Sequence, residues 1–294
     1  MKRILITGAT GNVGSEVIRF LMETNTVNEI IAGVRNIDKA RESFKNYPKL
    51  QLANFDFENQ ESFDIALAGI DTVFLLRPPH ISDIETYFEP LINKIKEKNV
   101  TEIVFLSVQG AELSKVIPHN KIERLITESG CDYIFLRPSY FMQNLTTTLL
   151  KDIQTKRKIV LPAGKAKFNW IDIENIGEVC AILLNQFSDF KNQSIELTGT
   201  ENEDFYSVAD KINQNLNSNI TFQNVSPFKF YSIKKNEGLN KGLIIVMIML
   251  HFLPRFQKPP RISDFFERVI GKKPTTLSEF IKRERNIILG KLSV

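Results

Sequence analysis

Residues 4–17 read ILITGATGNVGSEV, and this stretch decides the fold. A run of Ile4, Leu5, Ile6 and Thr7 leads directly into three glycines, Gly8, Gly11 and Gly14. Beyond them Val13, Val17, Phe20 and Leu21 share one face of a helical pattern. Strand, glycine loop and helix in that order are the context in which a glycine trio means more than a turn. Glycines let the backbone bend sharply and approach a pyrophosphate, whose charge then meets the outward N–H groups of the helix N-terminus. The stretch predicts a dinucleotide-binding loop, with Thr10, Asn12 and Val13 adding contacts to those of Gly8, Gly11 and Gly14.

Outward from the loop, apolar runs alternate with helical patterns, the signature of βαβ units and a parallel sheet. Strands are expected at 3–6, 29–34, 50–54, 71–76, 101–106 and 132–137, and helices at about 83–98 and 119–129. TVFLL and EIVFL are continuously apolar, as parallel strands buried on both faces should be. After Pro138 the rhythm loosens. A helix is expected from about Asp172, whose side chain can cap it. The strand QSIELTG follows, then a helix through YSVADKINQNL and two more at 243–253 and 276–287. Thr276 and Glu279 have capping-box spacing. The fold class is therefore α/β, a Rossmann-like doubly wound parallel sheet with helices on both faces and a smaller C-terminal α+β lobe. The division falls near residues 1–140 and 141–294, with the two parts interleaved.

Bulk properties narrow the function classes. The 294 residues are 43% hydrophobic and 24% charged, with a net charge of +4 from scattered Lys and Arg. A scattered mild charge argues against nucleic acid as the main partner. The two cysteines, Cys131 and Cys180, lack metal-ligand spacing and read as reduced thiols, so no metal is expected. The N-terminus lacks a signal-peptide pattern. LIIVMIMLHFL, residues 243–253, is far short of the ~20 residues that span a bilayer. It reads as a buried helix or a pocket cover. The expectation is a soluble cytoplasmic protein with no membrane anchor.

The second strand ends IAGVRN, placing Arg35 where an NAD-selective loop carries Asp or Glu. An acid there would accept from the ribose 2′-hydroxyl and repel a 2′-phosphate, whereas arginine offers that phosphate a fork of donors. NADP(H) is therefore expected ahead of NAD(H). In NFDFEN, Asp56 either accepts from the adenine amino group, with Phe57 alongside, or is a turn residue.

Taken together, TGATGNVG, AGVRN, DTVFLLRPP, VFLSVQGAE, HNKIERLITESGCDYIFLRPSYFMQNL, FNWIDIENIGEV, IELTGTE and GKKPTTLSEFI resemble the NmrA-like family of atypical short-chain dehydrogenases. They span nearly the whole chain in order. The resemblance implies NAD(P) binding and a ligand cleft between a Rossmann-like domain and a small C-terminal lobe. It also implies one of two roles, small-molecule reduction or redox sensing through a protein partner.

Relatives with the Y-x-x-x-K pattern carry a tyrosine four residues before the lysine. Here Ile117 precedes Lys121 by four and cannot donate a proton. The resemblance implies that Lys121 contacts the nicotinamide ribose or serves as the acid itself. His119 either relays a proton, being titratable near neutrality, or caps a helix. Ser107 either orients a carbonyl or caps a turn. Leu76 and Arg77 end the fourth strand, where the chain should pass the cofactor ribose. Pro78 and Pro79 would hold that loop extended. Tyr140 is expected to pack the nicotinamide or an aromatic substrate. Gln109, Phe141 and Asn144 are candidate substrate contacts, with core packing the alternative for Phe141. Hydride transfer to a quinone leaves a phenolate-like oxygen, whose conjugate acid has a pKa of roughly 10. That anion needs less acid help than an alkoxide, so a quinone-like acceptor suits a site without the tyrosine.

Overall fold

The computed structural model describes residues 1–24, 26–115 and 117–291. The chain divides into two compact units, Met1–Pro138 with Ile173–Leu197, and Ser139–Asp172 with Thr198–Val294. The first unit alternates β1 (Arg3–Ile6), α1 (Asn12–Glu23), β2 (Glu29–Val34), α2 (Ile37–Ser43), β3 (Gln51–Asn54) and α3 (Glu61–Ala66). It continues with β4 (Thr72–Leu76), α4 (Ile84–Glu97), β5 (Glu102–Leu106), α5 (Pro118–Ser129) and β6 (Asp132–Pro138). The expected strands lie within a residue or two of these.

The sheet order is β3-β2-β1-β4-β5-β6, with Gln193–Leu197 as a seventh strand beside β6. Every pairing is parallel. The order reverses between β1 and β4, and the carboxyl ends of strands at such a switch point form the ligand crevice of open α/β sheets. The segments around β1, β4 and β5 are apolar because helices flank the sheet. Leu5, Val73, Ile103 and Phe105 pack with Phe88 and Ile92 of α4 and with Ile122 and Ile126 of α5.

Residues 173–197 fall in the first unit, although the boundary drawn near 140 from sequence leaves them in the second part. The helix Ile173–Asn185 crosses α1 so closely that a Cβ on Gly177 would lie 2.8 Å from the Cβ of Glu16. Gly177 is therefore the residue that admits the crossing.

The second unit is α+β. Strand Phe168–Ile171 pairs with Tyr140–Phe141 on one side and Asn202–Glu203 on the other, and Lys158–Leu161 pairs with Thr221–Asn224. Its core gathers Phe168, Trp170, Phe205 and Phe230 with Leu277, Phe280 and Ile288 of the tail. Thr276 and Glu279 form a reciprocal capping box at the helix Leu277–Arg283. The tail expected as one helix is two, because a second helix, Arg285–Leu289, starts after Glu284. Asp172, expected only as a cap, has a carboxylate that accepts from Gln143 Nε2 at 2.6 Å and from Arg283 Nη1 at 2.7 Å.

Candidate functional site

The first unit carries an open cleft of about 400 Å³ at the switch point. Its walls bring together Gly8, Thr10, Gly11, Arg35, Asp56, Phe57 and Leu76 from the expected set. They add Gly33, Phe55, Pro78, Pro79 and His80, of which sequence reading singled out only the prolines, as shapers of the loop.

Two glycines of the loop are needed for different reasons. Gly8 has φ +61, which a side chain rarely adopts. Gly14 is required by space, since a Cβ there would lie 2.3 Å from the Gly8 carbonyl oxygen and 2.9 Å from Ala9 Cα. Those are backbone atoms, which cannot swing aside. This close approach seats the first turn of α1 against the loop. The N-cap is Gly11 without a side-chain cap, and no acid stands in the first turn. The N–H groups of Asn12, Val13 and Gly14 are therefore left to an anion, with no carboxylate of their own turn competing for one. This cradle fits a pyrophosphate.

Arg35 is exposed at the carboxyl end of β2, in the cleft wall. Its guanidinium has no carboxylate partner among the described residues, and its backbone carbonyl accepts from Asn54 at 3.4 Å. Asp56 is a turn residue as well as a wall residue, its Oδ1 accepting from the N–H of Glu58 at 3.0 Å. Phe57 is buried and packs edge-on to Phe55, at 5.0 Å between centroids.

Arg77 is not in the wall. Its Nη1 donates to the carbonyls of Pro78 at 3.1 Å, Pro79 at 3.3 Å and Ile81 at 2.5 Å. It ties down the loop that does line the cleft. Burial lowers its pKa, so its charge is carried at some cost in desolvation.

The residues of α5 divide by helical face. Lys121 is exposed and lines a second cleft of about 570 Å³ with Asp83, Glu85, Glu89, Arg124 and Glu128, not the cleft of the glycine loop. The structure therefore does not bring Lys121 together with Gly8, Gly11 and Arg35. His119 stacks on Phe105 at 6.1 Å. Burial, with the Arg77 charge as the second cause, holds its pKa down at about 3. It is a neutral imidazole at physiological pH, which corrects the expectation of a group titrating near neutrality.

Ser107 is buried, and its hydroxyl donates to Glu123 Oε1 at 2.6 Å. Glu123, also buried, is held by Arg137 through Nε at 3.0 Å and Nη2 at 2.7 Å. Arg137 reaches Glu112 as well, at 2.8 Å. Sequence reading missed this Ser107–Glu123–Arg137 chain. The available signal was spacing, since Glu123 follows His119 by four and shares its helical face.

Gln109 follows the network, its N–H donating to the Pro138 carbonyl at 2.9 Å. Its side chain bonds Glu196, whose pKa is raised chiefly by burial. In the second unit, the Tyr140 ring packs on Trp170 at 4.8 Å and on Phe168 at 5.3 Å. Its hydroxyl meets His251 Nε2 at 3.0 Å, while His251 Nδ1 lies 2.6 Å from the Met247 carbonyl. A proton on Nδ1 satisfies both contacts, so Tyr140 donates to Nε2. The structure thus commits Tyr140 to its own unit's core. Phe141 and Asn144 are half-buried in the same unit, and Asn144 bonds the Tyr140 hydroxyl.

Among relatives, Prestalk A differentiation protein A of Dictyostelium discoideum is 30% identical over 281 residues, 95% of this chain and 91% of its own length. An NAD(P)H azoreductase of Xenophilus azovorans is 27% identical across 95% of this chain and 96% of its own. The structure of an NADPH-dependent quinone oxidoreductase of Escherichia coli, complexed with NADPH, superposes with a TM-score of 0.84. It covers 96% of this chain and 100% of its own at 24% identity, a likeness of fold. A profile of the NmrA-like family matches residues 1–281. From the strand–glycine loop–helix, the seven-stranded parallel sheet and that match, the chain belongs to the NmrA-like family.

Proposed function

We propose that the chain binds NADPH in preference to NADH in the first unit's cleft and reduces a small activated acceptor of the quinone or azo class. The observation that carries the cofactor reading is the cleft wall itself. Gly14 seats an uncapped helix terminus on the loop, and an exposed, unpaired arginine stands beside it. The N–H groups of Asn12, Val13 and Gly14 would hold the pyrophosphate, and Arg35 the 2′-phosphate. Asp56 and Phe57 would meet the adenine. The azoreductase relative and the quinone oxidoreductase fold support the acceptor class.

When bound, the reduced nicotinamide supplies the hydride. The chain's own groups offer little acid. The Ser107 hydroxyl donates its hydrogen bond to Glu123, and His119 is neutral with its pKa pressed to about 3. An acceptor that becomes a phenolate-like anion, whose conjugate acid has a pKa of roughly 10, is stable enough to form without a positioned acid and to be protonated by water afterwards, whereas a ketone's alkoxide needs its proton as the charge develops. Lys121, which the resemblance implies as a ribose contact or acid, lines the other cleft, so its role stays a proposal carried by that resemblance.

The same closed network favours a second reading, a dinucleotide-dependent sensor that acts through a protein partner without turnover. The test is NADPH oxidation with a panel of quinones and azo dyes, comparing wild type with Lys121→Ala. Turnover with any acceptor supports the reductase. Saturable NADPH binding with no turnover on the whole panel leaves the sensor.

A further inference from the structure

The helix Lys241–Phe252 is apolar on both sides. Ile244, Met247 and His251 face the core of the second unit. The other side presents Leu243, Ile245, Val246, Met249 and Leu250 to solvent, each between 42% and 56% exposed. At 100° per residue these cover about half the helix circumference without a polar interruption. Leu253 and Phe256 continue the surface, Phe256 at 75% exposed. A surface helix ordinarily turns a charged face outward, and an apolar patch of this extent marks an interaction site.

Charge says what it meets. Residues 227–261 contain seven Lys or Arg and a single acid, Glu237, while the whole chain has a net charge of only +4. The rest of the molecule is therefore slightly acidic. Lys229, Lys235, Lys241, Arg255 and Lys258 are all exposed. Glu237 is already paired with Lys156 at 2.8 Å and Lys234 at 2.9 Å, so it does not offset them. Exposed apolar side chains on a helix whose flanking segments are rich in exposed cations match what a lipid interface with anionic headgroups would hold. A second copy of this chain fits poorly, because an isologous contact would set these cations against themselves.

We propose that this face docks on an anionic lipid surface, with the side chains of Val246, Leu250 and their neighbours entering the interface and the lysines meeting headgroup phosphates. This departs from the sequence expectation of no membrane and no membrane anchor, which rests on the shortness of the apolar run. No helix among the described residues is long and apolar enough to cross a bilayer. Lying on one requires no such length.

The test is flotation of the full chain with vesicles of phosphatidylcholine alone and of phosphatidylcholine mixed with phosphatidylserine, read without any dinucleotide. Binding is expected on the mixed vesicles only, and should weaken as salt is raised toward about 1 M, where the screening length falls to about 3 Å. Val246→Glu with Leu250→Glu should abolish it. Lys235→Ala with Lys241→Ala and Lys258→Ala should weaken it by roughly fivefold per lysine, on the order of a hundredfold in all. All five positions are exposed, so circular dichroism should report an unchanged fold. Should the glutamate pair misfold, the lysine triple decides alone. No binding to mixed vesicles overturns the proposal, as does equal, salt-independent binding to neutral ones. A wild-type dimer that the glutamate pair dissociates in sedimentation overturns it in favour of self-association.

Discussion

Two parts of the first unit handle polarity in opposite ways. The glycine-loop cleft is left open, with an uncapped helix terminus and an exposed Arg35 whose guanidinium pairs with no carboxylate among the described residues. The Ser107–Glu123–Arg137 chain is built from side chains and closed, with the Ser107 hydroxyl and all three guanidinium nitrogens of Arg137 directed at the protein's own carboxylates. Open donors are what an anion needs. A closed ion pair holds a loop in shape but has no proton to release, because the Ser107 proton is committed and Glu123 is paired. The contrast shows a glycine loop of dinucleotide-binding form standing beside a network that offers no replacement for the tyrosine of ordinary short-chain dehydrogenases. Binding and proton donation are separable tasks, and the proposed function rests on the first.

The comparison breaks most visibly at the closed end. Arg137→Met should leave Glu123 buried without its cation and destabilise the fold by about 3–5 kcal/mol in urea titration. A loss below about 1 kcal/mol would mean that water reaches Glu123 and that the network is not closed.

Next in size is a pH effect at another sealed group. Burial holds the His251 pKa at about 4, below its ordinary 6.5. The unfolded chain therefore binds more protons below 6.5, so stability is present above that pH and falls as pH drops toward 4. For His251 alone the fall approaches about 3 kcal/mol. His119, held at about 3, adds a loss of the same sign. Denaturant titrations across this window should show the slope reduced, but not removed, in His251→Gln.

At the open end, Gly14→Val drives a side chain into the Gly8 carbonyl. It should cost about 1–3 kcal/mol of stability. NADPH binding should be lost at concentrations that saturate wild type, whereas an intact affinity would show that the first turn of α1 does not hold the pyrophosphate.

Much of the first unit was legible because its signals are local. TVFLL and EIVFL are strands because they are buried on both faces, and the loop's glycines sit where strand gives way to helix. What escaped reading depends on contacts distant in sequence. Nothing near Gly177 announces that Glu16 will press against it and draw residues 173–197 into the first unit. The resemblance drew attention to Lys121, yet Glu123 lies two residues on, about 200° around the helix, and it is Glu123 that turns inward. Tyr140 illustrates a different limit. An aromatic after a strand end suits a ligand wall or a core equally, and only Trp170, Phe168 and His251, brought in by the fold, decide for the core.

The smallest expected effect bears most directly on the central claim, that the open cleft is made for a phosphorylated dinucleotide. Calorimetric titration of wild type and Arg35→Ala with NADPH and NADH measures it. Wild type should bind NADPH about tenfold more tightly than NADH, worth about 1.4 kcal/mol. Arg35→Ala should lose most of that difference while its NADH affinity stays near the wild-type value. Equal affinities for the two cofactors in wild type, or an undiminished preference in Arg35→Ala, would contradict the account.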